Sequence, residues 1–345
     1  MSADTPMESP FLAACRRQSV PYTPVWLMRQ AGRYQPEYRA LRARLGFLEL
    51  CRSPETAAEV TVMAVEQLGV DAAIVFADIL LMLEPLGVGL AFERGDGPVI
   101  QRPVRSGRDI DRLAPFDPRA LDHVYETVRR AVRALAVPVI GFAGAPFTLA
   151  SYLIEGGSSH DWARTRGFLY ADPGAWAGLM ERLVPAITAY LNAQIDAGAA
   201  AVQLFDSWVG CLPPAAYRTH VLPHVRSLIG ALRPGIPVIH FGTGTAGMLE
   251  AMRAAGGDVI GLDWRVDLDA AWARLGEGVA VMGNLDPAVL LGPIAEIRRQ
   301  AANILDQAGG RPGHIFNLGH GILPQTPVAH VRALVDAVHE LSARS

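Results

Sequence analysis

The sequence predicts an α/β protein of the (β/α)8 TIM barrel class, a single domain with a hairpin inserted after the second strand. Eight short apolar runs are each followed by a longer segment with helical spacing. The runs are continuously apolar rather than alternating, which suits parallel strands covered on both faces. The rival, an open doubly wound sheet in two domains, finds no support: no GxGxxG follows an early strand and no Pro/Gly/Ser-rich linker divides the 345 residues.

Residues 1–10 read as a flexible tail and 11–345 as the barrel. Strands are expected at 24–28, 70–77, 137–143, 199–205, 236–241, 258–262, 279–283 and 313–318. The first helix opens at Ser53-Pro54-Glu55, an N-cap, an N1 proline and an acidic first turn, and Gly69 stops it after Leu68. Further helices are expected near 118–136, 173–197, 214–232, 245–255, 267–275, 287–308 and 327–343. Residues 79–117 interrupt the alternation, and 88–100 read as a hairpin around Gly95-Asp96-Gly97.

Half of the chain is hydrophobic and 19% is charged, so a large core is expected. All 31 positive side chains are arginine. Without lysine, a Schiff base with a carbonyl or pyridoxal phosphate and a P-loop are excluded. The net charge of −3 gives no general attraction for nucleic acid or an anionic membrane. Residues 15–52 differ, with eight arginines against Glu37 and Glu49. Cys15, Cys51 and Cys211 are widely spaced and form no CxxC pair, which argues for a reducing compartment and against structural zinc or disulfides. No basic region leads into an apolar run at the amino end, so a cytoplasmic protein is expected. Residues 134–154 carry no charge, but their two prolines and two glycines fit a strand, a loop and a helix start better than a membrane span.

A barrel places its chemistry at the carboxyl ends of its strands. The residues at or just past those ends are Arg29 and Arg33, Asp78, Gly144 to Tyr152, Asp206 and Ser207, His240, Asp263, Asn284 and His320. Two arginines four apart around an Ala-Gly pair call for an anion. Asp78, ending an apolar strand, is costly to ionise without partners.

The stretches WLMRQAGRYQPEYR, IVFADIL, GFAGAPFTLASYLIEGG, LFDSW and FNLGHGI resemble, in order, the motifs of uroporphyrinogen decarboxylase, from about Pro21 to the last helix. The resemblance implies a cofactor-free, metal-free carboxy-lyase of haem biosynthesis, acting as a homodimer. Its substrate is a flexible tetrapyrrole with eight carboxylates, whose four acetates become methyls with release of four carbon dioxide molecules. The loop Arg29-Gln30-Ala31-Gly32-Arg33 and Arg42 are implied to hold carboxylates; a charge-assisted hydrogen bond contributes roughly 1.5–3 kcal/mol. Asp78 is implied to receive the pyrrole N–H groups, Tyr152 and Ser207 to bind carboxylates or orient Asp78, and His320 to reach a carboxylate across the barrel; Phe205 and Tyr38 are expected to form apolar walls.

A pyrrole protonated on a ring carbon accepts the electrons that departing carbon dioxide leaves behind, and a fixed carboxylate stabilises that cation more than the neutral ground state. Asp78 fits this role. Arg29, Tyr152 and His320 share the catalytic assignment, with the proton donor open: Arg29 is an intrinsically weak acid, and His320 best matches neutral pH. Two departures are minor, Asp206 where glutamate is frequent and Gln35 where leucine is. Zinc-dependent thiol methyltransferases of the same superfamily are the alternative, but His240-Phe241-Gly242 lacks their His-x-Cys pair and His320 stands in place of a second cysteine. A non-catalytic tetrapyrrole-binding protein is the other.

Overall fold

Residues 9–93 and 97–344 are described in the computed structural model of the chain. The strands are β1 (Ala73–Ile74), β2 (Leu90–Glu93), β3 (Gly97–Ile100), β4 (Val139–Gly144), β5 (Ala201–Asp206), β6 (Val238–Gly242), β7 (Val259–Gly261), β8 (Ala280–Met282) and β9 (His314–Ile315). All but β2 and β3 form one seven-stranded parallel sheet, ordered β1-β4-β5-β6-β7-β8-β9. Spatial order follows chain order, because each strand returns through helical segments that cover its apolar outer face. The other face encloses a core in which Gln203 Nε2 lies 3.7 Å from Met28 Sδ and Asn317 Nδ2 lies 3.5 Å from Met282 Sδ.

The expected strand 24–28 takes a different form. Val25 alone makes a β-bridge, parallel to Phe316. On one side the Phe316 N–H donates to the Pro24 carbonyl at 2.8 Å, and on the other the Asp71 N–H donates to the Val25 carbonyl at 2.8 Å. Side chains then take over from the ladder. Val25 N–H donates to Asp71 Oδ2 (2.7 Å), Leu27 N–H to Gln30 Oε1 (3.1 Å) and Met28 N–H to Asn317 Oδ1 (3.1 Å), while Gln30 Nε2 donates to the Ala72 carbonyl (3.1 Å). Regular pairing cannot continue past Met28, because Arg29 adopts φ +63°, the left-handed region.

Other expectations shift in detail. The tail was expected through residue 10, yet Pro10 already opens the Pro10–Cys15 helix; residues 1–8 lie outside the described residues. β2 and β3 pair antiparallel from Leu90↔Ile100 to Glu93↔Gly97, and most of the expected Gly-Asp-Gly turn lies outside the described residues. The expected 214–232 helix is two, Pro214–His220 and Leu222–Gly230, since Pro223 supplies no N–H to a continuous ladder. Helices Pro36–Arg44, Phe47–Arg52 and Ala163–Ala171 occupy stretches where none was expected. The uncharged stretch 134–154 divides into β4 and the Pro146–Glu155 helix, and no described helix is long and apolar enough to cross a membrane.

Gln30 is fully buried and both ends of its amide are used on the backbone. Gln30→Leu is expected to lower stability by roughly 2–4 kcal/mol, because it orphans a buried N–H and a buried carbonyl. Urea unfolding measures this, and an unchanged midpoint would show that the amide contributes nothing to the seam.

Candidate active site

The arginine loop is built by its own neighbours. Gln30 anchors its start, the Tyr34 hydroxyl donates to the Gln30 carbonyl at 2.6 Å, and Gly32 N–H donates to Gln35 Oε1 at 3.0 Å. A left-handed non-glycine residue costs roughly 1–2 kcal/mol, and here it turns Arg29 out of the seam. The Arg29 guanidinium is reached by solvent, yet surrounding protein and the neighbouring Arg33 lower its pKa, against the opposing pull of Asp78 and Tyr152. Arg33 is exposed, and Ala31 and Gly32 are half-buried beside it.

Asp78 lies four residues beyond the end of β1. Its loop is fixed by Val75 N–H donating to the Ile140 carbonyl (3.0 Å) and Phe76 N–H to Thr61 Oγ1 (2.9 Å). Leu80 N–H donates to Asp78 Oδ1 at 2.9 Å. Burial pushes the carboxyl up, while the Leu80 N–H and Arg29 pull it back down. Oδ1 thus accepts from the N–H two residues on, as in an Asx turn, and Oδ2 is not used in it.

Tyr152 projects from the Pro146–Glu155 helix, against Trp162 and Trp208 with ring centroids 5.7 and 6.1 Å away. Burial and Asp78 push its hydroxyl up to about 12, so it keeps its proton. Trp162 stacks on Trp208 at 4.7 Å, making an aromatic wall that sequence reasoning missed, although Trp208 ends the LFDSW stretch. Half-buried Phe205 meets Phe142 and Phe241 at 5.5 and 6.1 Å, and Ser207 follows at the end of β5. Tyr38 is buried against Phe76 at 5.5 Å.

His320 closes the opposite side between two glycines that have no room for side chains. A Cβ at Gly319 would stand 2.9 Å from the Asp263 carbonyl carbon, and one at Gly321 would stand 2.6 Å from Arg29 Cγ. The ring is therefore bracketed by the Asp263-Trp264 backbone and by Arg29. Burial, then Arg29, then Arg265 hold its pKa down to about 4, so the imidazole is neutral at neutral pH.

Several strand-end residues serve the frame. Asp263 is buried, accepting from Gly244 N–H and pairing with Arg265 Nη1, both at 2.6 Å. Asn284 Nδ2 donates to the Asp263 and Val266 carbonyls at 2.9 and 2.7 Å. Asp206 accepts from Thr148 Oγ1 at 3.1 Å, and burial pushes it up to about 7. His240 faces away: its neighbour Phe241 points inward, and the His240 ring lies by the backbone of Met252 and Gly256, where burial lowers it to about 4. Arg42 hydrogen-bonds the Leu45 carbonyl and lies 5.5 Å over the Phe47 ring, at the margin of the mouth. Among the described residues no three His, Cys, Asp or Glu side chains are grouped as metal ligands.

The family model for uroporphyrinogen decarboxylase matches residues 6–341. The chain belongs to the uroporphyrinogen decarboxylase family. It is 57% identical over 344 residues to the uroporphyrinogen decarboxylase of Roseiflexus sp. (strain RS-1), covering 97% of this chain and 99% of that protein. The corresponding protein of Sorangium cellulosum (strain So ce56) is 54% identical over 98% of both chains. Among solved structures, a methyltransferase from Methanosarcina mazei shares the fold, with a TM-score of 0.78 at 18% identity, covering 96% of this chain and 97% of that one.

An imidazole with a folded pKa below its unfolded one gains its proton first in the unfolded chain, so stability falls as pH drops through that window. His240, His314 and His320 all have pKa values lowered to about 4, against an ordinary 6.5. They are expected to reduce stability as pH falls from about 6.5 toward 4. By nitrogen-15 NMR the His320 ring is expected to remain neutral at pH 6; a titration midpoint near 6.5 would contradict this.

Proposed function

We propose that this chain decarboxylates uroporphyrinogen, converting its four acetate side chains to methyls and giving coproporphyrinogen and four molecules of carbon dioxide, with no cofactor. The observation that carries the reading is the charge of Arg29, an exposed arginine, acting on the half-buried carboxyl of Asp78. A polyanion with N–H donors at its centre complements both. Full-length relatives at 50–57% identity bear that activity's name. We read segment 24–28 as the eighth stave of the barrel, joining β9 to β1 at its mouth, and the whole as one catalytic domain.

Carboxylates fan out to Arg29 and Arg33, with Arg42 farther out, while the pyrrole nitrogens turn to Asp78. Protonation at the ring carbon beside the acetate gives a cation opposite the Asp78 carboxylate. The bond to the carboxyl carbon then breaks, and its electron pair neutralises the ring and leaves an exocyclic methylene. Proton gain at that methylene and loss of the ring proton give the methyl, so each cycle consumes one proton and releases one carbon dioxide. Asp78 acts where charge develops, in a site that burial keeps at low dielectric.

His320 carries no extra proton at neutral pH, and Tyr152 holds its proton tightly. Arg29 is protonated, and burial with Arg33 makes it more acidic than a free guanidinium. We place the proton donor among the groups that carry a proton at neutral pH, Arg29 and Tyr152, and assign hydrogen bonding to Ser207 and neutral His320.

Anaerobic incubation with uroporphyrinogen, followed by oxidation and chromatography, is expected to yield four-carboxyl porphyrin; unchanged eight-carboxyl porphyrin would overturn the assignment. Asp78→Asn is expected to keep the melting temperature within a few degrees and to lower kcat by about 100-fold or more, the range found when one preorganised electrostatic group is removed. Near-normal turnover would remove Asp78 from the mechanism.

A further inference from the structure

Arg265 lies beyond β7, next to the wall that carries His320, and no motif or strand-end position singled it out. Its backbone N–H donates to Asp263 Oδ1 at 3.1 Å and its Nη1 pairs with Asp263 Oδ2 at 2.6 Å. Its guanidinium lies 4.0 Å over the Trp264 ring. Asp263 is itself fixed by Gly244 N–H and is 1% exposed, so the anchor is rigid. The Arg265 side chain nevertheless remains 49% exposed, and its other guanidinium N–H groups carry no protein hydrogen bond among the described residues. The Trp264 ring stands edge-on to His320 at 6.4 Å, and Gly319 packs on the Trp264 backbone while Gly321 packs on Arg29.

We propose that Arg265, braced by Asp263 and Trp264, is a further substrate-binding residue that takes a peripheral carboxylate of the tetrapyrrole on the His320 side, opposite Arg29 and Arg33. This rests on the function proposed above. A surface arginine held by an exposed partner keeps its rotamer freedom and gives little to a ligand. Here one nitrogen is tied to a buried carboxylate and the plane is stacked on an indole, so the remaining donors are ordered before the ligand arrives. A macrocycle ringed with carboxylates needs cations on more than one side. Arg29 and Arg33 serve one side, and Arg265 serves the side that would otherwise present only neutral His320.

The test is steady-state kinetics with uroporphyrinogen on wild-type protein, Arg265→Gln and Arg265→Lys, with melting temperatures measured alongside. Arg265→Gln is expected to raise KM roughly tenfold, as loss of one charge-assisted contact does, with kcat within about twofold of wild type and a shallower rise of KM with salt. Arg265→Lys keeps the charge toward Asp263 but not the fork, and is expected to raise KM by a smaller factor at unchanged melting temperature. If Arg265→Gln fails to fold, the lysine variant decides. An unchanged KM, or a fall in kcat and melting temperature without a change in KM, overturns the proposal. Absence of turnover by the wild-type protein would instead overturn the function on which it rests.

Discussion

The seam at residues 24–30 governs the site, because one short segment both joins the two edges of the sheet and delivers the arginine loop. Its backbone is shared between β9, through Phe316, and the lead-in to β1, through Asp71 and Ala72. Where ladder hydrogen bonds stop, the side chains of Asp71, Gln30 and Asn317 supply partners, so buried backbone groups remain satisfied while the chain is free to turn. That turn is the left-handed Arg29. Its conformational cost is met by the surroundings, which leave room for Arg29 only because residue 321 has no side chain. Cation, seam and the His320 loop are therefore one construction.

The electrostatics follow from that construction. Burial pushes the Asp78 carboxyl up, and one backbone N–H and Arg29 oppose that shift. His320 is kept neutral by burial and by cations on both flanks, which suits a hydrogen-bonding role toward an anion. Tyr152 is likewise neutral, and its indole neighbours exclude water on that side. His320 and Tyr152 are thus polar without being charged at neutral pH, between cations of the arginine loop and the Arg265–Asp263 ion pair.

Much of this was legible in the sequence for a definite reason. Continuous apolar runs located all seven strands of the main sheet, and Arg29, Asp78, Ser207 and His320 stand where such runs end. Less could be read where the outcome depends on a partner distant in sequence. Gln30 looks like a loop glutamine, and its structural use emerges only once Ala72 lies beside it. His240 was put at a strand end, but side chains alternate across a strand, and the inward position belongs to Phe241. Arg265 follows an aspartate and a tryptophan, a local cue to a braced guanidinium that gained meaning only when the loop of Gly319 and Gly321 was seen packed beside it. The extra helices near residues 36–52 and 163–171 lie in connections between elements of the parallel sheet, where the strand-to-helix count carries no information.

In the proposed function the carboxyl of Asp78 receives the pyrrole nitrogens while the arginine loop receives the carboxylates. The most direct measurement is a crystal structure of the protein grown anaerobically with coproporphyrinogen. Pyrrole nitrogens are expected within hydrogen-bond reach, about 2.7–3.2 Å, of an Asp78 oxygen, with propionates directed to Arg29 and Arg33. A macrocycle seated with its nitrogens turned away from Asp78, or bound outside the mouth between Arg29 and His320, would contradict it.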